Sequence, residues 1–293
     1  MRTKQKRSLR GIYVPAFVLC GILCLAILGP LLTPYGYDEI VAEQFQKPGL
    51  DHWFGTDIHG RDLFTRVLLG ARISLSVGLA GALISFLIGV TYGLLSGWIG
   101  GAVDSAMMRF VDLLYSLPRI VLVIVVIAVF DGKAKLWMDS TSLAQFVPYT
   151  RLLLMFLALG MIEWLTMARI IRGQVLRIKA LAFVQAAQSM GQNTFGIVFQ
   201  HLLPNLRGII LVYVTLTIPT VILEESFLSF LGLGIQAPQS SWGTLLSDGA
   251  FIINPVKSYW WILAGPAFFM ALTLMSLNFL GDALRDYYDP KST

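Results

Sequence analysis

Three groups of residues carry charge or hydrogen-bonding capacity inside stretches that are otherwise apolar. Glu224 and Glu225 are adjacent within a long hydrophobic run. A carboxylate at membrane depth must find a partner or face water. The pair therefore reads either as a pathway or gating element or as a structural hydrogen bond to a neighbouring helix. Pro219 lies about a turn and a half earlier and predicts a kink. The second group lies in Phe54-Gly-Thr-Asp57-Ile-His-Gly60-Arg61-Asp62-Leu-Phe-Thr-Arg66. Gly55 and Gly60 permit tight turns, and Asp57 is expected to cap the helix that follows. Arg61, Asp62 and Arg66 can pair along that helix or hold the loop against the rest of the chain. Two readings stand: a loop that grips a partner protein through Asp57, Arg61 and Asp62, or a solvated, self-capping turn. The third group is a basic, polar island between two greasy runs. It comprises Ala168 to Lys179, then Gln185-Ala186-Ala187-Gln-Ser-Met-Gly191, then His201-Leu-Leu203-Pro204-Asn205.

None of these groups is an enzyme site. The sequence has no Gly-rich phosphate loop with Lys-Ser/Thr, no nucleophile elbow and no His-x-x-x-His. The three histidines are scattered, and Cys20 and Cys24 share one face of an apolar segment, which reads as packing rather than metal binding. No catalytic residue, metal site or cofactor is expected, and the chain is not expected to bind ATP itself.

The elements that hold these groups are membrane helices. Only 13% of the 293 residues are charged and 56% are hydrophobic, against about a quarter charged in a soluble domain. Runs of about 20 apolar residues place six spans: Ile12 to Leu32, Ser74 to Ile99, Leu113 to Phe130 with Pro118 inside, Leu152 to Ala168, Gly208 to Leu231, and Trp260 to Leu280. The first run is too long for the core of a cleavable signal, and no small-residue cleavage site follows it. Glu163 and Arg169, and likewise Asn278 and Asp282, read as polar residues at helix ends.

Orientation follows from lysine and arginine. Arg2, Lys4, Lys6, Arg7 and Arg10 precede the first span, and Arg169, Arg172, Arg177, Lys179 and Arg207 lie between the fourth and fifth. The positive-inside rule makes that side cytoplasmic. The expected organisation is a cytoplasmic N-terminal tail 1–11, one transmembrane domain 12–285 and a cytoplasmic C-terminal tail 286–293. The domain has external loops 34–72 and 131–150, and a cytoplasmic loop 169–207. The loop 34–72 carries five acids before its first arginine, and the loop 131–150 is expected to be partly helical near Leu143.

Gly81, Ser85, Gly89, Gly93, Gly97 and Gly101 recur every four residues in the second span, a ridge that lets another helix backbone approach closely. It reads either as a moving or dimerising interface or as static packing within the chain. In the island, Ala180 to Met190 is rich in helix formers with small residues at Ala186, Ala187 and Ser189. Gly191 ends that helix, Asn193 or Thr194 can cap a second, and Pro204-Asn205 breaks the second before the next span. The product is a helix–turn–helix finger with a small-residue face, or else amphipathic helices resting on lipid headgroups.

Gln185-Ala186-Ala187, Gly191 and Leu203-Pro204 resemble the EAA loop of permease subunits in binding-protein-dependent ABC importers. Phe54 to Asp62 with Gly70-Ala-Arg-Ile-Ser-Leu75, Ala168 to Leu176, and Glu225 to Gly234 leading to Ser241-Trp-Gly243 narrow the resemblance. They point to the second permease of dipeptide, oligopeptide and nickel importers, over about residues 10–285. The resemblance implies an all-α integral membrane protein with six transmembrane helices and the type I ABC importer, MetI-like, permease fold, multi-pass in the cytoplasmic (inner) membrane. It implies a second permease subunit in a heterodimer, two ABC ATPases that hydrolyse the ATP, an extracytoplasmic solute-binding protein and the lipid bilayer as partners, with no nucleic acid. It assigns ATPase coupling to Gln185, Ala186, Ala187, Gly191, His201, Leu203 and Pro204, and uptake of peptides or a related solute such as nickel to the assembly. Gln185 stands where the family has Glu, so a finger here holds its ATPase through shape more than charge. The competing mechanism, an ion-driven carrier, would require inverted repeats and mid-membrane charges, and no repeat is visible.

Overall fold

A computed structural model describes residues 2–236, 239–252 and 258–288; Met1 and residues 289–293 of the expected tails lie outside them. Ten α-helices follow in order: α1 Arg2–Leu32, α2 Leu63–Ile99, α3 Gly101–Tyr115, α4 Arg119–Asp139, α5 Thr150–Lys179, α6 Ala182–Ser189, α7 Thr194–Ile197, α8 Leu203–Phe230, α9 Trp242–Ile252 and α10 Trp260–Tyr288. Among the described residues there is no strand, only two isolated bridges within the loop before α2. Five helical segments among the described residues are long and apolar enough to cross a membrane, six if the bent pair α3–α4 counts as one span. Leu79, Leu83, Leu87, Val121, Val125, Phe268, Met275 and Phe279 lie exposed along them, as a bilayer solvent requires.

Two of the expected spans differ in the structure. The third is broken: α3 ends at Tyr115, Pro118 stands just before Arg119, and the two helices meet at 83°. Pro118 is extended (φ −61°, ψ 119°) and has no N–H to carry a helix through. The second begins at Leu63 rather than Ser74, so loop 34–72 is shorter than expected. Arg66 and Arg72 lie inside this added stretch. Arg66 is paired with Asp57, and Arg72 donates to the carbonyls of Ala26 and Ile27 in α1. The segment 131–150 is helical to Asp139 and again, as a 3₁₀ turn, over Ala144–Tyr149.

The small-residue ridge of α2 packs inside the chain. A row of residues four apart drifts by about 40° per step around a helix. Gly81 therefore meets Val221 of α8, whereas Gly89, Gly93 and Gly97 meet α5. At Gly93 an added Cβ would stand 2.5 Å from the Ala168 carbonyl oxygen, and at Gly89 2.8 Å from that of Trp164. Gly101 is not part of the ridge: α2 stops at Ile99, and Gly100 and Gly101 both take positive φ (75° and 58°) to start α3. Gly93→Leu is expected to cost about 3 kcal/mol or more, because the obstacle is backbone and cannot yield. Thermal unfolding in detergent should show a large drop in midpoint; an unchanged midpoint would mean the two helices are not in contact there.

The core between α1, α2, α9 and α10 collects Ile22, Leu63, Val67, Trp242, Trp261 and Phe269. Trp242 is fully buried, with its Nε1 donating to the Val67 carbonyl at 3.1 Å. A second core runs from Val90, Met167, Ile171 and Val175 into α6 and α7. Cys20 and Cys24 are free and exposed on α1, rather than packed in the core.

Candidate functional site

The island between α5 and α8 forms the finger, with three differences from the sequence reading. α6 ends in a Schellman motif: the Gly191 N–H donates to Gln188 O at 3.0 Å and the Gln192 N–H to Ala187 O at 3.1 Å. Gly191 takes φ 80° with open space around it, so its backbone conformation is what the site requires. Asn193 then caps α7 by accepting from the Gly196 N–H at 2.7 Å.

The first difference is Pro204. It does not break the helix, since Thr194 to Phe230 is continuous. A π-helical turn over Val198–Leu202 precedes it, and the proline falls in the first turn of α8. The wider turn loosens the bonding ladder just where Pro204 cannot donate. The second is Ala187, which is buried against Val184, Ile197 and Leu202 rather than presented outward. The third is the outer face, which is bulky as well as small: Met190 is 81% exposed, Phe195 74% and Phe199 62%, beside exposed Gln185, Ala186, Gln188 and Ser189. Gln185 reaches only the Ala180 carbonyl, at 3.5 Å. His201 Nε2 lies 3.0 Å from Gln192 Oε1, and Gln192 donates to Gln200 at 2.8 Å, tying the two arms. Leu203 is half-buried at the start of α8 and packs against the same core.

The finger is anchored at its base. Arg172 donates two bonds of 2.6 Å to Asp104 of α3, whose carboxylate also accepts from Ser96. Arg169 pairs with Asp112 at 2.7 Å and stacks on Tyr115, while Lys179 donates to the Trp98 carbonyl. α3 is thereby strapped to the last turns of α5. The partners are 57 and 68 residues apart in sequence, so no local signal announces them.

Asp57, Arg61 and Asp62 are buried, not solvated. Asp57 does not cap α2. Its Oδ1 accepts from the backbone N–H groups of His59 and Arg61 at 2.7 and 2.9 Å, and its Oδ2 from Arg61 Nε at 2.8 Å and from Arg66. Burial alone would raise the Asp57 pKa, but the Arg61 N–H, the Arg66 charge and the other donors outweigh it and hold the carboxyl below the usual range. Arg61 reaches on to Asp38 at 2.9 Å. The cap is Asp62, accepting from the Thr65 N–H at 2.8 Å while its other oxygen lies 2.9 Å from His52 Nδ1. With all three side chains turned inward, any partner that meets this loop touches its outer residues, such as exposed Trp53 and Leu50.

The two glutamates of α8 differ. Glu225 is fully buried and accepts from Ser229 at 2.7 Å and Ser241 at 2.6 Å, with Ser74 and Ser226 at 3.5 Å. It joins α8, α2 and the start of α9. Glu224 is half-buried with one oxygen lacking a partner among the described residues. Across from it Glu163 pairs with Arg119 at 3.1 Å. Glu163 therefore stands in the middle of α5, not at a helix end, and the break between α3 and α4 places its arginine. Pro219 is buried within α8. Among the described residues no cluster of three potential metal ligands occurs.

The family described as binding-protein-dependent transport system inner membrane component matches residues 89–293. The dipeptide transport system permease protein DppC of Bacillus subtilis (strain 168) is 45% identical over 289 residues, 98% of this chain and 83% of that protein. The oligopeptide transport system permease protein OppC of Escherichia coli (strain K12) is 46% identical over 285 residues, 96% of this chain and 87% of that protein. Among solved structures, a chain of the inward-facing MetNI methionine ABC transporter superposes with a TM-score of 0.56 at 17% identity, covering 76% of this chain and 96% of that one. The fold is that of a MetI-like permease, and the chain belongs to the family of inner membrane components of binding-protein-dependent transport systems.

Proposed function

We propose that this chain forms half of the pore of an importer for peptides and couples that pore to ATP hydrolysed by separate subunits. The observation that carries this reading is the finger. It holds Met190, Phe195 and Phe199 in the open, among exposed Gln185, Gln188, Ser189 and Gln200. An exposed apolar patch rimmed by polar residues marks a protein interface. Behind it, Val184, Ala187, Ile197 and Leu202 share one core with Val90 and Ile171, so a push on the finger reaches α2 and α5 without a slack joint.

The lysine and arginine bias supports an orientation with the N-terminus, the finger and the C-terminal tail in the cytoplasm and the Asp57 loop outside. In that arrangement an ABC ATPase receives the finger, a second permease, a different chain, completes the pore, and a binding protein delivers solute to the outer face. The peptide class rests on the two permeases above, which are named for dipeptide and oligopeptide transport. Proteoliposomes containing this chain with its co-expressed permease and ATPases should accumulate a labelled peptide only with ATP inside and binding protein outside. Accumulation driven by an ion gradient without ATP would overturn the reading.

A further inference from the structure

At the end of the bundle that carries the finger, the last turns of α5 and α10 and the first turns of α8 enclose an open cleft of about 600 Å³. Arg177, Arg207 and Arg285 enter it from the three walls, joined by Tyr213 and Tyr288. All three arginines are exposed, and none has a carboxylate within 4 Å among the described residues. The contrast is with the base of the finger, where Arg169 and Arg172 are each matched to an aspartate.

Helix ends explain part of this. Arg177 and Arg285 sit in the last turns of α5 and α10, where a cation offsets the macrodipole. Arg207 has no such reason, because it lies in the opening turns of α8. Three like charges converging on one cleft repel one another unless an anion lies among them. Two walls are locked together: Gly208 has no side chain, and the Tyr288 ring of α10 takes that space, 2.7 Å from where a Cβ would stand. Further along α8 from Arg207 the lining turns apolar, with Val212 and Leu216. A polar, cationic mouth with an apolar stretch beside it, between membrane helices, matches a phosphate joined to acyl chains rather than a free ion.

We propose that this cleft binds the phosphate group of an anionic lipid headgroup, one lipid per chain. The lipid as source rests on the orientation proposed above, which puts these helix ends at the cytoplasmic leaflet. Its consequence is mechanical: the lipid would bridge α5, α8 and α10 at the root of the finger, so that the surrounding leaflet sets how stiffly the finger is held.

Native mass spectrometry of the full-length chain, co-purified with its partner subunits and exchanged into equal phosphatidylglycerol and phosphatidylcholine, tests this without ATP, peptide or binding protein. It can therefore fail while transport stands, or hold while transport fails. One phosphatidylglycerol per chain should be retained in preference. Arg207→Gln should lower that retention about fivefold, Arg207→Lys should largely keep it, and the triple change of Arg177, Arg207 and Arg285 to Gln should abolish the preference. Equal retention of the two lipids, or a triple variant that still prefers phosphatidylglycerol, would overturn the proposal. Displacement of the lipid by excess inorganic phosphate would overturn the lipid as the source. An unchanged unfolding midpoint in the variants shows that loss of lipid is not loss of fold.

Discussion

Replacing Met190 by aspartate should reduce ATP-driven uptake about 30-fold or more, with the chain still reaching the membrane in normal amounts. The side chain is 81% exposed, so the fold has little to lose. A docked partner has much to lose, because a charge would enter an apolar contact. Buried interface anchors cost about 2 kcal/mol or more when truncated, which is about 30-fold in an equilibrium. Gly191→Val gives the same loss by another route. Cβ meets no neighbour there, but φ 80° is a conformation that a β-branched residue avoids. The finger would then change direction without any contact being removed. Uptake unchanged in both variants would detach the finger from the transport cycle.

Asp57→Ala should be the most destabilising single change in the loop before α2. Removing one partner of a buried ion pair costs about 3–5 kcal/mol, since the other charge is left in a low dielectric. Here two arginines lose it together. The lower end of that range applies, because Arg61 keeps Asp38 at 2.9 Å and Arg66 has Asp248 at 3.9 Å. Acid should reproduce the effect reversibly. The folded Asp57 pKa is depressed below the unfolded value of about 3.9. Its contribution is therefore complete above that value and is lost as pH falls through the lower, folded value. Unfolding midpoints measured from neutral pH down to about pH 2 should fall more steeply in the wild type than in Asp57→Asn. Parallel curves would show that Asp57 is not the group responsible.

Much of the architecture was legible because hydrophobic runs of spanning length dominate the sequence. Five of the six expected spans lie within single helices, and the finger follows from Gly191 and Asn193, whose requirements are local. What was illegible was long-range or directional. Nothing near Asp104 indicates Arg172. The α3–α4 break was hidden because an apolar window averages across Ser116-Leu117-Pro118. The extra turns of α2 were hidden because Arg66 and Arg72 look too polar to be helical in a membrane protein until Asp57 and the α1 carbonyls are seen beside them. The small residues of the finger suggested its outer face, yet Val184 and Ala187, three apart, turn inward together. The signal for the outer face was present in Phe195 and Phe199, large apolar residues one helical turn apart, on the face opposite Ile197. Glu225 had one local clue in Ser229, four residues on; Ser74 and Ser241 come from elsewhere in the fold.

The central claim, that the finger is where ATPase movement enters this chain, is most directly tested by cross-linking. With Phe195→Cys in the assembled transporter, a short thiol cross-linker should join this chain to an ATPase subunit, and ATP should change the yield. Efficient cross-linking to lipid-embedded segments alone, with no ATPase adduct in any nucleotide state, would contradict the account.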